Sequence, residues 1–183
     1  MKILKTLQYC SFITVFAVSC TNNIDNGSDA TIEFKKEVVA SGSSVAKAKI
    51  TVHPKTDENL GVECFLMDLI DPETDKIIGL LQDCVSNDVF NYGGIIISRV
   101  ITTINLYGRG SITSENMVLK EPTSNPAIFS TSFKSTKNNI IDGTFEFENI
   151  TGTVALNGEI DLEFSESGIV IFNSAFSIDA IIY

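Results

Sequence analysis

The sequence predicts an all-β domain, and the main evidence is a hydrophobic pattern with a period of two. No long helical period competes with this pattern after the N-terminal segment. In residues 153–164, apolar residues and one glycine alternate with polar residues, and residues 169–183 alternate again. Residues 165–168 between them are typical of a turn. The two segments are therefore predicted to form a β-hairpin with one apolar and one polar face.

Further strands are predicted before this hairpin, at short spacing and separated by turn residues. In chain order they cover residues 31–39, 45–53, 62–70, 77–85, 95–106, 111–119 and 127–134. The first two are predicted to pair around a turn at residues 41–44, and the next two around residues 71–75. Many short strands predict an antiparallel barrel or sandwich. We favour the barrel, because closure removes exposed sheet edges.

The N-terminal residues predict export and lipidation. Lys2 and Lys5 accompany a mostly apolar stretch, residues 7–18, that is shorter than the roughly 20 residues needed to cross a bilayer. Ala17-Val18-Ser19-Cys20 then resembles the lipobox, at which a lipoprotein signal peptide is cleaved and the cysteine acylated. The alternative is an ordinary secretory signal with an incidental cysteine at its end.

These features divide the chain into three parts. Residues 1–19 are a predicted signal peptide, residues 20–30 a polar tether that starts at the lipidated Cys20, and residues 31–183 a single domain. The tether has too few apolar groups to offset the entropy of ordering it. We expect a lipid-anchored protein of the bacterial cell envelope, at the outer membrane or cell surface, because Thr21 is not an aspartate that would retain it at the inner membrane.

Charge limits the partners. Removing residues 1–19, which contain two Lys and no acidic residue, changes the formal net charge from −10 to about −12. An acidic domain argues against nucleic acid as a partner and against electrostatic binding to anionic lipid. Membrane attachment is therefore expected through the acyl chains on Cys20, at about 0.8 kcal/mol per buried methylene.

Three segments of the domain resemble the allene oxide cyclase-like and dirigent-like protein family. They are Phe65-Leu66-Met67-Asp68 with residues 78–85, residues 101–106 with 108–112, and residues 140–147 with 150–154. The last segment is similar to the family's glycine-rich G-G-T-G-x-F-x-x-A-x-G element, with Asp142 in place of its first glycine and Ile150 in place of its small residue. The resemblance covers about residues 62–183.

This resemblance implies an eight-stranded antiparallel, calycin-like barrel with a hydrophobic cavity. A barrel of this size can hold one small ligand. Members of the family steer the cyclisation or coupling of reactive intermediates, so isomerase-like steering of a small hydrophobic molecule is the activity to consider. No catalytic residue is assigned and no cofactor is expected.

Asp68 and Arg99 are the candidates for a polar site in the cavity. Asp68 has apolar neighbours on both faces of its predicted strand, and a buried carboxylate needs a partner or a proton. Arg99 is the cation expected nearest to it. The alternative places both on the solvated outside. A packed interior with Asp68 outside would favour a non-enzymatic scaffold or binding module that meets its partner through loops.

Cys64 and Cys84 are the two thiols that remain for the fold. Counted outward from a turn near Thr74, they fall opposite each other, and both a cross-strand disulfide and two buried free thiols remain open. His53, the one histidine, is expected to be an exposed strand residue. One histidine and two cysteines are too few for a zinc site, so no metal is expected. The sequence also contains no nucleophile elbow and no phosphate-binding glycine loop.

Overall fold

The computed structural model describes residues 31–45, 47–133, 137–163 and 169–183. The predicted signal peptide, Cys20 and the tether all lie outside the described residues. Lipidation and membrane anchoring therefore stay predictions. Within the described ranges, no helix has the length and apolar character needed to span a bilayer.

The described part of the chain is all-β, which confirms the predicted fold class. In chain order the strands are β1 (Ile32–Val45), β2 (Lys47–Val52), β3 (Asn59–Asp71), β4 (Lys76–Tyr92), β5 (Ile95–Leu106), β6 (Gly110–Pro122), β7 (Ile128–Phe133), β8 (Ile140–Gly143), β9 (Ile150–Asp161) and β10 (Ile169–Ile182). One turn of 3-10 helix, η1 (Phe145–Phe147), separates β8 from β9.

Antiparallel pairing joins these strands into one large sheet that partly closes into a ring. The order is β1-β10-β9-β7-β6-β5-β4-β3-β2, β8 pairs with β6 off this path, and β1 also pairs with β3. The β1–β3 pairing is short, from Val39 opposite Ile70 to Ser41 opposite Asp68. β9 pairs with β10 from Ile150 to Asp161, as the predicted hairpin requires.

The predicted turn at residues 41–44 is wrong. β1 continues to Val45 and pairs with β10 over its full length, while β2 pairs with β3 instead. Ser44 is buried, and its hydroxyl accepts a hydrogen bond from the backbone N–H of Leu66 at 2.8 Å. Tertiary pairing thus overrides the local turn preference of serine and glycine.

The interior of the ring is a continuous hydrophobic core that is tightly filled near η1. Phe147 is fully buried there, and its ring centroid lies 5.0 Å from that of Phe34. The guanidinium carbon of Arg109 lies 5.2 Å from the centroids of both rings, a distance typical of cation–π contacts. β1 begins beside this filled end, because Phe34 is close to its first residue.

A side chain completes the sheet where β6 and β9 are not joined by a strand. The Asn139 amide donates to the carbonyl of Val154 at 2.8 Å and accepts from the N–H of Val154 at 2.8 Å. It also donates to the side-chain oxygen of Asn116 on β6. The pairing of β9 with β7 ends at Leu156. The Asn139 amide therefore satisfies the backbone groups of Val154, two residues before that end of the pairing.

Candidate functional site

A cavity of about 80 Å³ lies inside the ring, away from η1 and near the ends of β9 and β10 that their hairpin joins. Most of its wall is apolar and includes Phe65, Val85, Val100, Val118, Leu156 and Phe172. Four polar side chains also line it: Asp83, Lys120, Thr131 and Ser174. An apolar cavity with a few polar groups is the usual form of a small-molecule site.

The register of the strands explains why this space is unfilled. Thr131 on β7 lies opposite Lys120 on β6 and opposite Gly158 on β9, and Gly158 lies opposite Ser174 on β10. Ser174 in turn lies opposite Ala40 on β1. All of these residues except Lys120 have small side chains, so this level of the interior holds little side-chain volume. A Cβ atom on Gly158 would lie 2.5 Å from the Cα of Ser174, so no larger residue fits between these strands.

The hydroxyl of Thr131 lacks a hydrogen-bond partner. Thr131 is 3% exposed, and its Oγ1 is the one buried side-chain polar atom without a partner among the described residues. An unpaired buried hydroxyl costs about 1–3 kcal/mol. Native proteins usually satisfy such a group with a water or a ligand. Because Thr131 also lines the cavity, a molecule held there could supply the missing partner.

Asp83 provides a carboxyl group in the same cavity. The Thr102 hydroxyl on the neighbouring strand donates to its Oδ1 at 2.6 Å. Burial raises the pKa of Asp83 to about 6, and the hydrogen bond from Thr102 and the charge of Lys120 only partly oppose this shift. The carboxyl group therefore changes charge within the range of pH found around cells.

Lys120 provides the opposite charge. Its Nζ donates to the Ser98 hydroxyl at 3.4 Å. Burial lowers the pKa of Lys120, while the charges of Asp83 and Glu63 act in the other direction. Within the described ranges no salt bridge joins Lys120 to Asp83. Two opposite charges thus face one cavity and influence each other without direct contact.

Asp68 and Arg99 do not take part in this site, which corrects the expected interior pair. Asp68 is exposed on the outer face of β3, where Leu66 is also 53% exposed. Phe65, Met67 and Leu69 point to the interior instead. The exposed Leu66 explains the error, since an apolar residue on the outer face makes the two faces look alike in the sequence.

Arg99 lies on the outer face, in an ionic cluster that we call the outer cluster, formed by His53, Glu58, Arg99 and Glu115. Arg99 binds Glu115 through Nε and Glu58 through a terminal nitrogen at 3.3 Å. Glu115 also contacts His53, with 2.8 Å between Oε2 and Nε2. Burial raises the pKa of Glu115, but the hydrogen bonds and charges of His53 and Arg99 together outweigh it, so the pKa is lowered.

His53 is buried rather than exposed, contrary to the prediction. It is 3% exposed and lies just after β2, in the turn that leads to β3. Its Nδ1 accepts hydrogen bonds from the backbone N–H groups of Lys55 and Thr56, both at 3.1 Å. Nε2 is then the nitrogen that carries hydrogen and donates to Glu115. His53 therefore anchors the tip of the β2–β3 hairpin to β6.

Replacing His53 with alanine is expected to loosen this hairpin tip. The Lys55 and Thr56 amides lose their acceptor and Glu115 loses a donor, at a cost of about 1–3 kcal/mol in unfolding free energy. Chemical denaturation measures the loss, and hydrogen exchange at the Lys55 and Thr56 amides should accelerate. Lys55→Ala, at an exposed position of the same turn, is the control. Equal stability of the His53→Ala variant and the parent would contradict the assignment.

Cys64 and Cys84 form a disulfide between β3 and β4. They are directly paired in the register, with 4.1 Å between their Cα atoms. On the outer face they form a second, smaller hydrophobic cluster with Leu60 and Ile101. Of the two alternatives left by the sequence, the structure has the disulfide.

Sequence reasoning missed Asp83, Lys120 and Thr131. A signal existed for Asp83, because it lies between Leu81 and Val85, which alternate to the interior with it. Lys120 and Thr131 carried no comparable signal. Only the β6–β7 register makes them neighbours.

Comparison with known proteins assigns no family to the chain. No protein-family model matches it, and no curated protein matches it. The chemistry of the cavity therefore rests on the side chains that line it.

Proposed function

We propose that this domain binds a small, mostly apolar molecule with one polar end in its interior cavity. The observation that carries the proposal is the Thr131 hydroxyl, which is buried without a partner in the wall of a largely apolar cavity. A ligand with an apolar body and one polar group would complete this hydrogen bond and bury its body against Val100, Val118 and Leu156. Each Å² of apolar surface removed from water would contribute about 25 cal/mol.

The size of the cavity limits what it accommodates. Its volume of about 80 Å³ is smaller than the roughly 150 Å³ of an engineered protein cavity that holds benzene. A molecule of a few heavy atoms, or the end of a longer chain, fits this space. A folded polyene does not. The size therefore supports binding over cyclase-like steering, which rests on the family resemblance alone.

We further propose an eight-stranded, calycin-like barrel carried on a lipid anchor. The closing contact of β1 with β3 supports eight strands, because the path from β1 through β10, β9, β7, β6, β5 and β4 then returns to β1 from β3. The anchor rests on the lipobox at Cys20. Since β1 begins near η1, at the filled end, the cavity would face away from the membrane.

A scaffold without a ligand is the second candidate. Asp68 is exposed and most of the interior is packed, and both observations favour a barrel that meets its partner through loops. On this alternative the cavity holds only water, and substitutions in its wall change stability without changing any binding.

Mass spectrometry of small molecules extracted from the purified protein tests the proposal. Ser174→Leu fills the cavity from β10, and Ala175→Val adds volume at the next, exposed position of the same strand. We expect one compound to co-purify with the parent and with Ala175→Val, and to be lost from Ser174→Leu. Circular dichroism confirms that each variant is folded. A parent extract identical to that of folded Ser174→Leu would favour the scaffold.

A further inference from the structure

We propose that the polar end of the ligand is an uncharged hydroxyl or carbonyl group, held by Lys120 and Thr131 together. This inference rests on the proposed function and names the chemical class that the cavity selects. It is carried by the positions of three side chains: Lys120, Thr131 and Asp83.

The register brings Lys120 and Thr131 to one place in the wall. They are directly opposed across β6 and β7. Directly opposed residues on one face of an antiparallel pair have Cβ atoms about 4.5–5.5 Å apart. Both side chains line the same small cavity, so the polar end of one ligand can be bound by the Lys120 ammonium and the Thr131 hydroxyl.

The hydrogen-bonding capacity of this pair calls for an acceptor. An ammonium group has three N–H donors and no acceptor, and one donor of Lys120 is directed to Ser98. The Thr131 hydroxyl has a donor without a partner. A ligand oxygen satisfies both residues by accepting from them. A hydroxyl oxygen can in addition donate its hydrogen to Asp83, which accepts from Thr102 and has further acceptor capacity.

The two charges of the cavity exclude a charged ligand group. Lys120 and Asp83 provide one positive and one negative charge in the same cavity, and the charge of the exposed Glu63 also acts on Lys120. At neutral pH, an anion bound at Lys120 would face the Asp83 carboxylate, and a cation bound at Asp83 would face the ammonium. Either would add an unbalanced charge to an apolar interior, which is costly. An uncharged dipolar group avoids this cost and still uses both sites.

Two pairs of probes with matched shapes, and xenon as a fifth, apolar probe, test the inference. Acetone and acetate form one pair, and 2-propanol and isopropylammonium form the other; each pair has one uncharged and one charged member. The methyl NMR signals of Val100 and Val118, which line the cavity, report occupancy. We expect saturable shifts with acetone, 2-propanol and xenon. Acetate and isopropylammonium should bind at least about tenfold more weakly, which corresponds to 1.4 kcal/mol.

Two threonine variants separate the polar contact from the cavity itself. Thr131→Val keeps the shape of the side chain and removes the hydroxyl, so affinity for acetone and 2-propanol should fall about five- to tenfold while that for xenon stays unchanged. Thr153→Val, outside the cavity wall on β9, should change neither. If xenon binds but the charged probes bind as well as their neutral partners, the inference is wrong and the proposed function stands. If no probe binds, including xenon, the proposed function fails too.

Discussion

Removing the Cys64–Cys84 disulfide is expected to lower the unfolding free energy by about 3 kcal/mol. The bond closes a loop with a sequence separation of 20 residues, and the entropy that such a closure removes from the unfolded chain is about this size. Both cysteines are buried against Leu60 and Ile101, so Cys64→Ala with Cys84→Ala also leaves a small cavity in the outer face. Chemical denaturation of the double variant and the parent measures the difference.

Reduction of the parent provides the matched control. A reductant should shift the denaturation midpoint of the parent toward that of the double alanine variant, and should leave the variant itself unchanged. Thiol titration shows that the bond has been cleaved. A parent whose midpoint does not move after complete reduction would contradict a stabilising disulfide at this position.

Asp83 is expected to make the domain less stable as pH rises from about 4 to about 6. Its pKa is about 6 in the folded protein, mainly because of burial, against an ordinary aspartate pKa of 3.8. In this window the unfolded chain releases a proton that the folded chain still holds, so the unfolding free energy falls with rising pH and levels off above pH 6. Two pH units correspond to at most about 3 kcal/mol. Asp83→Asn keeps an acceptor for Thr102 and removes this loss.

The difference in unfolding free energy between Asp83→Asn and the parent isolates the effect. The unfolding free energy of Asp83→Asn, measured relative to that of the parent, should rise between pH 4 and pH 6 and then stay constant. Asp68→Asn, on the exposed outer face of the neighbouring strand, is the matched control for the loss of one carboxyl group. A pH-independent difference for Asp83→Asn would show that this carboxyl group is not buried as described.

The sequence predicted the strands well because their pattern is local. Alternation located β9 and β10 and their pairing, and counting from the turn near Thr74 placed Cys64 opposite Cys84. The turn at residues 41–44 failed because the pairing of β1 with a strand more than a hundred residues away decides its course. Serine and glycine favour turns only where no such pairing competes.

The candidate site was harder to predict because it depends on which face of each strand is interior. The middle of β5 is buried on both faces, since Ile101 belongs to the outer-face cluster with Leu60 of β3 while Val100 faces the core. Apolar residues on both sides of Arg99 therefore did not indicate its direction. His53, in the turn of the β2–β3 hairpin, is buried as well. Lys120 and Thr131 meet only through the β6–β7 register, which no local pattern encodes.

Electron density in the cavity of the protein purified from cells that produce it tests the central claim most directly. A crystal structure at a resolution that shows ordered waters should contain continuous density larger than one water, within hydrogen-bonding distance of Thr131 Oγ1 and extending along Val100 and Val118. That result would show a bound molecule with a polar end at the position the cavity provides. Isolated water peaks at Thr131 with no density beyond them would contradict the claim and leave the domain a packed scaffold.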